Sequence, residues 1–169
     1  PYSGQRAFCG ICVEDVTGVR IGDSTFTEPV NYFSNHDYGI YSPGAIVQAF
    51  NNLFVNFYLD DTVNVHEGSA IYCFNKNGDG NLADTSQLWP SFNYIIGNKG
   101  GGTKGNSFLN CKNGIKASNV GLMVRGNNFS NVTKSISCSN AMLKTLEASN
   151  NTIDKSKTGI EFILPKGSG

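Results

Sequence analysis

The chain has 169 residues, with 13 Lys+Arg against 13 Asp+Glu and no formal net charge. This balance disfavours nucleic acid and anionic membrane surfaces as partners, and no apolar run approaches the ~18 residues of a membrane-inserted helix. The 21 Asn and 20 Gly indicate a turn-dense β architecture rather than disorder, because 39% of the residues are hydrophobic and 11 Phe and 7 Tyr need a core.

A repeat of the form N-x-F-x-N-x-x-x-G-I organises the chain. Each copy has an Asn two places before an inward-looking apolar residue. In chain order these pairs are Asn31 and Phe33, Asn52 and Phe54, Asn106 and Phe108, Asn127 and Phe129, and Asn151 and Ile153. Two further segments, 46–50 and 121–124, read as short strands bounded by Asn and Gly.

The spacing of the apolar residues predicts the fold. Phe33 and Phe54 are 21 residues apart, as are Phe108 and Phe129. A unit of about 21 residues is too short for helical-hairpin repeats, which need ~33, and it lacks the Leu pattern of leucine-rich repeats. We therefore expect an all-β parallel solenoid of about six coils, each with two or three short strands. A further copy is suggested by the run from Ile21 to Phe26, which parallels 124–129.

Each letter of the repeat has a predicted role. Phe and Ile point inward and stack about 4.8 Å apart along the axis. Asn tolerates left-handed backbone at the corners, and stacked Asn side chains form hydrogen-bonded ladders. Gly before Ile relieves a tight corner.

The N-x-F-x-N-x-x-x-G-I pattern resembles the right-handed parallel β-helix repeat of pectate-lyase-like and NosD-like proteins. The run 108–120 is similar to units of large secreted or surface β-helix proteins of Bacteroidetes. The resemblance covers most of residues 12–164 and implies a right-handed β-helix and a secreted or cell-surface location. Because the pattern starts and stops in mid-repeat, we expect residues 1–169 to be a single β-helix segment of a longer solenoid, with an inserted loop at 74–105.

The five cysteines do not form a disulfide framework. Cys73 and Cys138 fall in one column with Ala117 between them, so their separation of ~9.6 Å exceeds bridging range and they are expected to be buried core thiols. Cys111 is expected to be free near a corner. Cys9 and Cys12 form a C-x-x-C without further metal ligands, which favours buried thiols or a local disulfide.

The inserted loop contains the one candidate metal site, for calcium. Its residues Asn75, Asn77, Asp79 and Asn81 are spaced as in an EF-hand-like loop. Asn replaces Asp at the first position and Ser86 replaces the bidentate carboxylate at the twelfth. The alternative is a Gly/Asn turn without metal, and no other cofactor is expected.

Three aromatic residues in the same loop, Trp89, Phe92 and Tyr94, are the candidate ligand-binding residues. Aromatic faces beside Asn and Asp suit sugars, which they contact by stacking and hydrogen bonding. The alternative is that these side chains pin the loop to the flank of the solenoid.

The predicted function is non-catalytic: an extracellular structural stalk or adhesin-like segment that contacts glycans through the 75–94 loop or stacks on other coils of its parent protein. One alternative is a fragment of a polysaccharide lyase or glycoside hydrolase, which would gather acidic and basic side chains in one groove. Another is a phage tailspike segment, which would be trimeric. The sequence identifies no catalytic residue and predicts no particular oligomeric state.

Overall fold

The computed structural model describes residues 7–16, 18–23, 25–57, 68–75, 93–97, 104–139 and 146–163. These ranges contain strands and no helix, which confirms the all-β class. The strands are β1 (Ala7–Cys12), β2 (Val19–Ile21), β3 (Asn31–Ser34), β4 (His36–Pro43), β5 (Val47–Ala49), β6 (Asn52–Phe57), β7 (Ser69–Phe74), β8 (Asn93–Gly97), β9 (Ser107–Ser118), β10 (Gly121–Arg125), β11 (Asn128–Ser139), β12 (Leu146–Ser149), β13 (Thr152–Asp154) and β14 (Thr158–Ile163). No helix within the described part of the chain is long and apolar enough to cross a membrane.

The strands form two sheets, and every recorded pairing between described strands is parallel. The larger sheet has the order β1-β4-β7-β9-β11-β13, with β14 beside β11 and the pair β3-β6 joined to β9. The smaller sheet has the order β12-β10-β8-β5-β2. The expected strands at 46–50 and 121–124 are confirmed as β5 and β10.

The second Asn of the repeat turns the backbone within the larger sheet. Asn35, Asn56, Asn110 and Asn131 have φ between 53° and 64°, and Lys155 in the same slot has φ 54°. Asn accepts this left-handed conformation more readily than most residues because its short side chain bonds locally. β9 and β11 therefore bend at their Asn while remaining paired with each other on both sides of the bend.

The aromatic residues of the repeat form one stacked column, as predicted. Parallel register pairs Phe33 with Phe54, Phe54 with Phe108, and Phe108 with Phe129, and the column ends on Ile153. Successive ring centroids are 4.8, 5.1 and 4.6 Å apart, with interplanar angles of 10° or less. The four Phe side chains are buried and Ile153 is partly buried.

The predicted role of the repeat's Gly needs correction. Gly39 and Gly114 do not have the positive φ that a strained corner requires. A Cβ on Gly39 would instead lie 2.8 Å from Cδ1 of Phe54 and 2.6 Å from the carbonyl oxygen of Ala70. Glycine therefore makes room for the adjacent phenylalanine column, and the turn is made by Asn.

The first Asn of the repeat forms a second, buried row. The Nδ2 group of Asn106 donates to Oδ1 of Asn127 at 3.1 Å, and Asn127 donates in the same way to Asn151 at 3.1 Å. Each oxygen also accepts the backbone N–H of the preceding Asn, at 2.9 Å and 3.0 Å respectively. The Asn ladder is confirmed, and its members are distinct from the Asn residues that turn the chain.

The cysteine columns agree with the sequence prediction. Cys73 and Cys138 both align with Ala117, so one residue separates them along the stack. Cys73, Cys138 and Cys111 are free and fully buried. Their side chains fill the core beside the isoleucine column that contains Ile71 and Ile115.

The predicted inserted loop at 74–105 also needs correction. Phe74 ends β7, and residues 93–97 form β8, a central strand of the smaller sheet. Tyr94 and Ile96 of this strand are buried and align with Leu122 and Val124. Residues 93–97 are therefore part of the core and not of an insertion.

Candidate functional site: an outer strip

A corner in the larger sheet brings two side chains together on its outer surface. Gly39 and Ile40, which are consecutive, are both buried, so Tyr38 and Tyr41 on either side both point outward. In a straight strand the ends of three residue steps lie about 10 Å apart. Here the ring centroids of Tyr38 and Tyr41 are 5.1 Å apart.

Five rings pack together around this corner, and we call them the aromatic cluster: Phe8, Tyr38, Tyr41, Tyr72 and Phe74. Phe8 meets the two corner tyrosines edge to face at 5.3 and 4.9 Å. Tyr72 stacks on Tyr38 at 5.6 Å and lies 4.9 Å from Phe74. Tyr38 and Phe74 are buried, Tyr41 and Tyr72 are half-buried, and Phe8 is 43% exposed.

Charged and polar residues continue the same row across the sheet. Parallel register places Tyr41, Tyr72, Lys116, Ser137 and Glu161 side by side on neighbouring strands. Four strand spacings of about 4.8 Å give this row a length of roughly 19 Å. We call the row, together with the aromatic cluster and Lys134, the outer strip.

The two halves of the outer strip meet at Lys116, whose Nζ lies 5.2 Å from the ring centroid of Tyr72. Such a cation over an aromatic face is attracted by the ring quadrupole. Beyond it, Glu161 accepts hydrogen bonds from Nζ of Lys134 at 3.0 Å and Oγ of Ser137 at 2.9 Å. The strip therefore offers apolar ring faces at one end and paired hydrogen-bonding groups at the other.

The electrostatics of the strip favour binding over acid catalysis. The hydrogen bonds from Lys134 and then Ser137 lower the pKa of Glu161, so its carboxyl group is ionised at neutral pH. A general acid needs the opposite shift. A second carboxylate, Glu147, pairs with Arg125 on the smaller sheet, and the bond from Arg125 lowers its pKa in the same way.

The buried thiols are poor candidates for nucleophiles. Burial raises the pKa of Cys111 and Cys138 to about 12 and raises that of Cys73 well above its usual value. A cysteine reacts as a thiolate that solvent can reach, and these three side chains are fully buried. These three residues therefore serve as apolar core side chains.

The sequence-predicted ligand residues have different positions. Trp89 and Phe92 lie outside the described residues. Tyr94 is 3% exposed and points into the core, where its hydroxyl donates to the backbone oxygen of Ser42 at 3.2 Å. Tyr94 is thus a core residue, and its ring face is not offered to a sugar.

The candidate calcium loop is represented only by Asn75. Its backbone N–H donates to the carbonyl oxygen of Ser118 at 3.2 Å, which continues the pairing of β7 with β9. Asn77, Asp79 and Asn81 lie outside the described residues. Among the His, Cys, Asp and Glu side chains that the structure does describe, no three come close enough to hold a metal ion.

The outer strip was not predicted from the sequence, although the repeat contained a signal for it. Several strip residues flank the Gly-Ile pair of the repeat: Tyr38 and Tyr41 stand on either side of Gly39-Ile40, and Lys116 follows Gly114-Ile115. Strict alternation would put these two positions on opposite faces. The two flanking side chains lie together because both members of the Gly-Ile pair between them face the core.

Comparisons of the chain with protein-family models, with curated proteins and with solved structures find no match in any of the three. Function is therefore inferred from the residues of the outer strip and from the fold that positions them.

Proposed function

We propose that this chain is a segment of a right-handed parallel β-helix, secreted or on the cell surface, that acts as a rigid, non-catalytic scaffold and contacts glycans along the outer strip. The observation that carries the proposal is the aromatic cluster beside Lys116, on the outer face of the larger sheet. Aromatic rings with an apolar face and a polar rim suit sugars, which present both C–H faces and hydroxyl groups.

The glycan contact predicted for the 75–94 loop remains a proposal for Trp89 and Phe92, which lie outside the described residues. The chain leaves β7 at Phe74, a member of the aromatic cluster, and Trp89 and Phe92 follow in the segment that begins there. We propose that Trp89 and Phe92 contribute to glycan binding in addition to Phe8, Tyr41 and Tyr72.

The scaffold role is supported by the continuous side-chain columns. Phe108 and Phe129 stack at 4.6 Å, and Asn106 and Asn127 join adjacent strands through buried amides. The columns of Ile136 and Cys138 end on exposed side chains of β14: Ile160 is 46% and Phe162 is 42% exposed, whereas Ile136 and Cys138 are fully buried. We propose that a further coil of the parent protein covers Ile160 and Phe162.

Glycan binding is tested by applying the full chain to an array of neutral and uronic-acid-containing oligosaccharides. We expect binding that weakens about tenfold in Tyr72→Ala or Phe8→Ala, since a ring contact of this kind is worth on the order of 1.4 kcal/mol. Tyr32→Ala is the matched control, because Tyr32 is 64% exposed on β3 and lies outside the strip.

The outcomes separate the competing functions. Loss of binding in Trp89→Ala alone would assign the contact to the 75–94 loop and not to the strip. Absence of binding to every probe would refute the glycan contact, and cleavage of a probe would favour the lyase or hydrolase. A trimer in solution would favour the tailspike segment.

A further inference from the structure

β1 contains a Gly-Ile pair like that of β4, and two cysteines flank it where two tyrosines flank the pair in β4. Register pairs Cys9 with Tyr38 and Cys12 with Tyr41. The rings of Tyr38 and Tyr41 converge to 5.1 Å across their corner. Side chains in the Cys9 and Cys12 positions therefore face each other on the surface of β1.

The first corner has the same construction as the second. A Cβ on Gly10 would lie 2.9 Å from Cδ1 of Phe33, as a Cβ on Gly39 would lie 2.8 Å from Cδ1 of Phe54. Gly10 thus packs against the phenylalanine column, and Ile11 aligns with the buried Ile40. Gly10 is exposed and Ile11 is half-buried on this edge strand, but their register positions are those of Gly39 and Ile40, so Cys9 and Cys12 take the positions of Tyr38 and Tyr41.

Cys12 lies close enough to Cys9 to affect the pKa of the Cys9 thiol. Burial raises the pKa of the Cys9 thiol to about 11, and the neighbouring Cys12 adds to this increase. Cys9 is half-buried and Cys12 is exposed, so a reagent in solution reaches Cys12 first.

We propose that Cys9 and Cys12 form a disulfide across the first Gly-Ile corner when the protein meets a small-molecule disulfide oxidant such as oxidised glutathione. The thiolate of Cys12 attacks glutathione disulfide, whose S–S bond breaks to release one glutathione and leave a mixed disulfide on Cys12. Cys9 then loses its proton, attacks the Cys12 sulfur and releases the second glutathione. Two protein thiols are oxidised by two electrons, and one glutathione disulfide is reduced to two thiols.

The other three cysteines cannot compete for this reaction. Cys73, Cys111 and Cys138 are fully buried in the core. Cys73 and Cys138 are also two strand spacings apart, about 9.6 Å, beyond the ~7 Å limit for a disulfide. They serve as internal controls, and the proposal stands on the corner geometry without the glycan contact.

The experiment uses the full chain, purified under reducing conditions and then incubated with oxidised glutathione. Intact mass and cysteine alkylation after denaturation measure the products. We expect a mass lower by two hydrogens, no retained glutathione, and three alkylated cysteines in place of five, with Cys9 and Cys12 linked in the peptide map.

Two variants identify the order of the steps. Cys9→Ser should stop at one glutathione attached to Cys12, and Cys12→Ser should form no intramolecular disulfide. A wild-type product that keeps all its thiols, retains glutathione on Cys12 or forms a covalent dimer would overturn the proposal. Far-UV circular dichroism before and after oxidation checks that the reacting species is the folded β protein.

Discussion

Gly114 lies directly against the ring of Phe129. A Cβ on Gly114 would be 2.8 Å from Cε1 of that ring and 2.7 Å from the carbonyl oxygen of Ser135. In the last copy of the repeat, Gly159 faces Ile153 instead, and a Cβ there would have its nearest contact at 3.7 Å. The same glycine position is thus crowded in one copy and open in another.

This difference predicts opposite outcomes for one substitution. Gly114→Ala should lower the free energy of unfolding by about 1–3 kcal/mol, because the added methyl group forces apart a packed ring and a backbone strand. Gly159→Ala should leave it unchanged or raise it by up to about 1 kcal/mol through the lower entropy of the unfolded chain. Urea unfolding of the two variants measures both values, and equal losses would contradict the packing explanation.

The two Asn positions of the repeat should respond differently to Gly. Asn127→Gly removes buried amide bonds to Asn106, Asn151 and the carbonyl oxygen of Ile96, so we expect a loss of at least about 3 kcal/mol. Asn131→Gly should cost less than about 1 kcal/mol, because Asn131 is exposed and its φ of 55° suits glycine. Chemical denaturation compares them, and a larger loss at Asn131 would show that the turn outweighs the ladder.

The phenylalanine column should dominate the stability of the core. Phe129→Ala should cost roughly 3–5 kcal/mol, because it removes a fully buried ring from between Phe108 and Ile153. Phe26→Ala is the control and should change stability by less than about 0.5 kcal/mol, since Phe26 is 58% exposed. Similar unfolding midpoints for the two variants would refute the stacked-column account.

Alkaline pH should destabilise the fold through its buried thiols. Burial raises the pKa of Cys138 from 9.0 to about 12, so the unfolded chain releases this proton at lower pH than the folded chain does. The contribution of the Cys138 thiol to the free energy of unfolding is complete below about pH 9 and is lost as the pH rises towards 12. Melting temperatures measured from about pH 8 to about pH 11 should fall less steeply in Cys138→Ala than in the wild type. Parallel slopes would show that Cys138 does not contribute.

The sequence predicted the parts of the fold that repeat in register. The column that contains Phe108 and Phe129 was predictable because identical residues recur 21 positions apart and pair on adjacent strands. The copy suggested at 21–26 is only half right: Ile21 aligns with Ala49 in the smaller sheet, but Phe26 is exposed and Phe33 takes the column position. The extra residues between Ile21 and Phe33 lengthen the interval between the smaller-sheet strand and the phenylalanine column, but they do not change which residues face the core.

Other parts depended on packing that a repeat pattern does not express. β8 was not predicted because it has Tyr94 and Ile96 where the paired strand β10 has Leu122 and Val124. The flanking Asn and Gly also suggested a loop. The outer strip depended on Gly39 and Ile40 both facing inward, which is a property of the bend and not of residue type. The need for glycine at position 39 likewise could not be predicted, because it depends on how closely the ring of Phe54 packs there.

The two Asn rows point in opposite directions along the stack. In the buried row Asn106 donates towards the later Asn127, whereas in the exposed row Asn131 donates back towards the earlier Asn110. The amide dipoles of the two rows therefore oppose each other across the larger sheet and partly cancel. Because each row joins Asn to Asn, adding or removing one copy of the repeat would leave every amide in the row with the same kind of partner.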